Sequence, residues 1–112
     1  MLESLTSVDL ININRGLGES GKPKDPSQGV DSALASWRYY DTLEEQVLSI
    51  AISISHGHLF QNGNKRTALT LIREIAEIAG ITMVSDDKQF DAILLMATKG
   101  GKPSTYLRLF FK

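Results

Sequence analysis

Apolar positions recur at helical spacing in stretch after stretch of this chain, and polar or glycine-rich breaks separate them. Val8, Leu10, Ile11 and Ile13 form a short stripe behind Thr6 or Ser7, either of which suits a helix cap, and Gly16 and Gly18 end it. Residues 15–28 are rich in Gly, Pro, Ser and Lys and have no apolar period, which predicts a long surface loop, mobile or functional. Residues 30–37 read as a second short helix, and Trp37, Tyr39 and Tyr40 form an aromatic cluster expected in the core and at its rim. Thr42 and Glu45 have capping-box spacing ahead of Leu43, Val47, Ile50, Ala51 and Ile54, with Leu48 and Ile52 widening the stripe. A helix from Asn64 carries Ala68, Leu71, Ile72, Ile75, Ala76 and Ala79 up to a stop at Gly80. Residues 81–84 are β-prone and read as an extended connector. Asp86 is the expected cap of a helix through Phe90, Ile93, Leu94 and Ala97. Gly100 and Gly101 break it, and Pro103 and Ser104 open a last helix with Tyr106, Leu107, Leu109 and Phe110. The pattern predicts an all-α bundle of five to six helices, with a central hairpin over residues 42–79.

Composition narrows the function classes. A length of 112 residues suits one domain over 1–112 and leaves no room for two cores. The net charge of −1 provides no field to draw in nucleic acid or an anionic membrane, so any phosphate binding must come from local placement of cations and amides. There is no cysteine, which excludes disulfides and thiolate-bound zinc and fits a cytoplasmic setting. Polar residues follow Met1-Leu2-Glu3, so no secretory leader is expected, and the apolar runs are too short to span a bilayer.

The densest chemistry lies in His58-Leu59-Phe60-Gln61-Asn62-Gly63-Asn64-Lys65-Arg66, between two apolar helices. The first N–H groups of a helix lack partners and sit at the positive end of its dipole, so Gly63 and Asn64 before the second helix suit a phosphate. Arg66 adds a guanidinium that can grip phosphate oxygens in pairs, and Lys65 adds a point charge. A solvated helix start is the plain alternative. His58 is a candidate proton acceptor, or a structural cap of the preceding helix. Asn62 is a candidate Mg²⁺ or phosphate ligand, or a turn residue in Asn-Gly. Phe60 is expected to point into the core. Gly57 suggests a helix break or a close backbone contact. His56 is expected to be structural or solvent-facing.

The spacing His58-x-Phe60-x-Asn62-Gly63-Asn64-Lys65-Arg66, preceded by Gly57 and followed by Thr67-Ala68-Leu69, resembles the signature loop of the Fic/Doc superfamily in its Doc (death-on-curing) form. The resemblance implies that His58 is the general base for a target hydroxyl. It implies that Phe60 holds the loop to the bundle and that Asn62 takes the metal-associated position. Gly63, Asn64, Lys65 and Arg66 would bind the phosphates of ATP with Mg²⁺, and Lys65 and Arg66 would also offset charge in the transition state. The AMP-transferring Fic branch usually has glycine where Lys65 stands and a second arginine where Leu69 stands. The Doc form shares both differences, and its activity in the family is phosphorylation of a threonine on elongation factor Tu, with the nucleotide reversed relative to AMP transfer. Many members carry an acidic residue where Asn62 stands, and a neutral amide binds Mg²⁺ more weakly.

The resemblance further implies a toxin of a toxin–antitoxin module, acting in the cytoplasm without binding nucleic acid or membrane. Thr70 and Glu74 have part of the spacing of the family's internal inhibitory motif, but Ile75 follows and the pair reads as structural. Inhibition is therefore expected in trans, by a Phd-like antitoxin helix landing on the short N-terminal helices. Lys22 and Lys24 make the 15–28 loop a candidate edge of the target groove, with a plain linker as the alternative. AMP transfer and a non-catalytic nucleotide- or protein-binding module remain the competing readings.

Overall fold

The computed structural model describes residues 2–27 and 29–112. Gln28, the far end of the glycine- and proline-rich loop, and Met1 lie outside the described residues. The described residues form an all-helical bundle of six α-helices: α1 (Ser7–Gly16), α2 (Asp31–Leu34), α3 (Leu43–Ser55), α4 (Asn64–Ala79), α5 (Asp86–Lys99) and α6 (Pro103–Phe110), with 3₁₀ turns at Leu2–Ser4 and Ala35–Tyr39.

Local chemistry sets most helix ends. The Asp9 carboxylate accepts the Thr6 main-chain N–H at 2.8 Å at the start of α1. Thr42 Oγ1 accepts the Glu45 N–H at 3.2 Å at the start of α3. Gly63 and Gly80 bracket α4, both left-handed at φ +73° and +71°. Pro103 opens α6, where its missing N–H costs nothing. Ser85, not Asp86, is the cap residue of α5. Asp86 stands one place inside, where its charge complements the helix dipole and pairs with Arg73 at 3.6 Å.

Helix α3 is the spine of the bundle and packs against α4, α5 and α6. Val47, Leu48, Ile50, Ala51 and Ile54 bury on several of its sides. They share one core with Leu10, Phe60, Leu71, Ile72, Ile93, Met96, Tyr106 and Phe110. The Ser55 hydroxyl inside this core donates to the Ala51 carbonyl at 2.8 Å, so its burial leaves no polar group unpaired. Residues 81–84 run extended as expected and pair with the chain's end. Val84 N–H donates to the Phe110 carbonyl and Lys112 N–H to the Thr82 carbonyl, at 2.9 and 3.0 Å.

Three expectations change. The 30–37 helix splits, with α2 tightening into the 3₁₀ turn Ala35–Tyr39. Tyr39 is 85% exposed and belongs to neither core nor rim, while Trp37 packs against the core. Helix α5 turns Gln89, Ala92, Ile93 and Met96 inward and leaves Phe90 and Leu94 outside. Gln89 earns burial by accepting from Arg73 Nε and donating to the Val84 carbonyl, both at 2.7 Å. Phe90 lies under the Arg73 guanidinium, 5.5 Å from its ring centre. No described helix is long and apolar enough to cross a membrane.

Candidate functional site

Helix α3 ends with an irregular closure that presents His58. The Gly57 N–H goes to the Ile52 carbonyl and the Leu59 N–H to the Ile54 carbonyl, each at 3.2 Å. Such a six-residue closure needs one left-handed residue, normally glycine. Here it is His58, with φ +50°, the one described non-glycine residue at positive φ. The turn lifts its ring out of the bundle: the residue is exposed, and no described residue hydrogen-bonds it. Strain of this kind, held by its surroundings, is common where a side chain must be aimed.

The loop after His58 is fixed from both sides. The Phe60 ring is 0% exposed, in the core as expected. The Asn64 carboxamide reaches back across the turn. Its Oδ1 accepts the Phe60 N–H at 2.8 Å and its Nδ2 donates to the Phe60 carbonyl at 2.9 Å. The Asn64 side chain thus holds the loop, and what it leaves for an anion is its main-chain N–H.

The start of α4 is open. No described acceptor takes the main-chain N–H of Asn64, Lys65 or Arg66, and the first used is that of Thr67, to the Gly63 carbonyl at 2.9 Å. Three amides at the positive end of a helix, beside two exposed cations, make a candidate anion site. Arg66 is already engaged, donating to the Leu17 carbonyl at 3.3 Å. The Asn62 side chain is exposed without a described hydrogen bond, while its carbonyl is tied inward. His58, Asn62, Gly63, Lys65 and Arg66 therefore gather at one turn. His56 does not join them: its Nδ1 donates to the Ala97 carbonyl at 3.0 Å, tying α3 to α5.

Two residues essential to this geometry have no signature in the loop itself. Asn14 on α1 is buried, and its whole carboxamide is used. Nδ2 donates to the Asn62 carbonyl and to Thr67 Oγ1, both at 3.0 Å, and Oδ1 accepts the Gly21 N–H at 2.9 Å. The available signal was an asparagine four residues after the buried Leu10, on the inner face of α1. Glu19 was also missed. A β-carbon built on Gly63 would stand 2.8 Å from Glu19 Cγ and 3.3 Å from its Oε2. A carboxylate thus lies over the N-terminal cap of α4, and Gly63 is required both for its backbone and for that contact.

Glu19 belongs to a segment, residues 17–24, that is strapped to the turn after His58. Lys24 N–H donates to the Leu59 carbonyl at 2.9 Å and Gln61 N–H to the Lys22 carbonyl at 3.1 Å, around an antiparallel bridge between Pro23 and Phe60. The Ser20 hydroxyl adds a bond to Gln61 at 3.3 Å. A plain solvated linker does not describe this part of the loop.

The donors fit Mg²⁺ only together with phosphate. Among the described residues no three His, Asp or Glu side chains gather as a metal cage. The turn offers the Asn62 oxygen and the Glu19 carboxylate, and an ion with one or two protein ligands completes its shell with substrate phosphates and water. An open groove of about 590 Å³ also runs between α1 and α4, lined by Leu5, Ile13, Leu17, Leu71, Ile75 and Ile78 among others. Thr70 and Glu74 line the same groove, and Thr70 donates to the Arg66 carbonyl at 2.7 Å.

No curated protein matches this chain. A model of the Fic/DOC family matches residues 4–76, from the first turn through most of α4 and including the whole of the turn from His58 to Arg66. With well over half of its length inside that match, the chain belongs to the Fic/DOC family, whose members are typically transferases that act on proteins.

Proposed function

We propose that the protein is a Doc-like toxin that transfers a phosphoryl group from ATP to a Thr or Ser hydroxyl of a target protein. The observation that carries the reading is the pairing, at one turn, of an exposed, left-handed His58 with the N–H groups of Asn64, Lys65 and Arg66, which no described acceptor takes. The nucleotide's phosphates dock on those amides, with Lys65 and Arg66 offsetting their charge. His58 takes the proton of the target hydroxyl as its oxygen attacks the terminal phosphorus, and ADP leaves. Asn62 and Glu19 would hold Mg²⁺ together with the phosphates, and the ion would supply charge neutralisation there.

Leu69 supports phosphoryl over AMP transfer. It is buried in the core, so the position where AMP-transferring relatives carry a second arginine contributes no charge to the site. Elongation factor Tu, suggested by the resemblance to Doc, is the first target to test and goes with a cytoplasmic site of action. The groove between α1 and α4 supports inhibition in trans by an apolar helix of an antitoxin.

The test is expression in bacteria of the wild type and His58→Ala, with intact-mass analysis of translation factors. A phosphoryl-sized gain on one factor, absent with His58→Ala, is the expected result. An AMP-sized gain would replace phosphoryl by AMP transfer. ATP binding with no modification of any protein would replace the enzyme by a binding module.

A further inference from the structure

A second cavity, of about 220 Å³, is lined by Asp25, Ser32, Ser53, Gly57 and Leu59 among others. None of residues 60–66 lines it, but both chain neighbours of His58 do. It is therefore distinct from the open start of α4, and residues on both chain sides of His58 line it.

Its polar groups are acceptors. Asp25 Oδ1 takes the Ser27 N–H at 3.0 Å and the Ser27 hydroxyl at 2.7 Å, and Oδ2 has no described partner. The same bonds hold the Asp25 carboxyl below its ordinary range, so it is ionised at neutral pH. The Ser32 hydroxyl donates to the Gly29 carbonyl and the Ser53 hydroxyl to the Ser49 carbonyl, both at 3.2 Å. Each has used its one proton and keeps lone pairs.

The end of α3 adds to this. Because the Gly57 N–H skips to Ile52 and the Leu59 N–H goes to Ile54, no described N–H takes the Ser53 carbonyl. A β-carbon on Gly57 would overlap that oxygen, so glycine keeps it bare. This is the negative end of the α3 dipole. The described lining holds a carboxylate, hydroxyl lone pairs and no cation.

We propose that this cavity receives a cationic side chain, Lys or Arg, that neighbours the acceptor hydroxyl in the target protein. The assignment to the target rests on His58 being the base. The chemistry of the cavity selects positive charge whatever the protein it comes from. The phosphate donor and the target's cation thus bind at different helix ends, one at the start of α4 and the other at the end of α3, each of matching polarity.

The test uses the whole chain, isotope-labelled for amide NMR, titrated with Nα-acetyl-arginine N-methylamide. Nα-acetyl-citrulline N-methylamide, of the same shape without the charge, is the control. The expected result is saturable shifts at the Gly29, Ser32, Ser53 and Gly57 amides, with binding at least tenfold weaker for the citrulline probe and for Asp25→Asn. Equal binding of the two probes, or shifts confined elsewhere, overturns the cation site. That comparison is made on the unaltered chain, so it decides even if Asp25→Asn fails to fold. In a second arm, threonine peptides with arginine or citrulline beside the acceptor are incubated with ATP. His58-dependent labelling that favours arginine tenfold supports the target assignment. Labelling without preference overturns that assignment while the base reading stands. Arginine binding with no labelling of any peptide overturns the base reading, and with it the target assignment, while cation binding stands.

Discussion

The last turn of α3 and the first turn of α4 face one another across the same short loop with opposite polarity. At the end of α3 the chain closes irregularly, leaves the Ser53 carbonyl without a described N–H, and throws His58 into the left-handed region. At the start of α4 three N–H groups lack described acceptors and two exposed cations stand beside them. The loop between is held by Phe60 in the core and by both ends of the Asn64 carboxamide. An all-helical bundle can thus build a polar site from two helix ends, with the specific side chains added to a field the backbone already supplies.

The largest effect expected from breaking this pairing is at His58. Substitution by Ala should lower phosphoryl incorporation by about 10²–10⁴-fold. Stability should hold or fall slightly, since Ala removes no hydrogen bond but suits the left-handed backbone less well than His; urea unfolding alongside the transfer assay checks both. Asn14→Leu comes next, because it strips the buried support from the loop. Each group left unpaired costs about 1–3 kcal/mol, read as a lower urea midpoint, and transfer should fall with it. Unchanged stability would mean that the Asn62 carbonyl, Thr67 and Gly21 find other partners.

Glu19→Gln sharpens the comparison by removing the carboxylate over the α4 cap. Without Mg²⁺, affinity for inorganic phosphate should rise roughly two- to fivefold, the equivalent of about 0.3–1 kcal/mol for one charge at a helix end. Isothermal titration checks this, and a fall in affinity would show that the carboxylate does not face the anion site. The smallest effect is expected at the neighbouring histidine. His56→Ala loses the bond to the Ala97 carbonyl, about 0.5–1.5 kcal/mol of stability, and should leave transfer near the wild-type level. Loss of transfer without loss of stability would give His56 a part in the chemistry.

Much of this was legible in the residues. Gly63 and Gly80 mark the ends of α4, Thr42 with Glu45 marks the start of α3, and the spacing from His58 to Arg66 points to the turn that the fold exposes. These are local signals, set by φ preferences and caps. What was not legible is long-range. Asn14 meets Asn62 and Thr67 across 48 and 53 residues, and periodicity on α1 cannot say which loop an inward asparagine will meet. Glu19 and the strapping of residues 17–24 are invisible for the same reason, since their partners lie on the distant turn. On α5 the apolar period allowed two faces. Packing chose the one with Gln89 because Arg73 both satisfies that amide and covers Phe90.

The central claim is that a triphosphate docks on the amides opening α4, beside His58. Titration of the labelled protein with Mg²⁺·ATP tests it most directly. The account predicts the largest amide shifts at Gly63, Asn64, Lys65 and Arg66, retained in His58→Ala and at least tenfold weaker in Arg66→Ala. Saturating shifts confined to another surface, or no shifts at millimolar nucleotide, would contradict it.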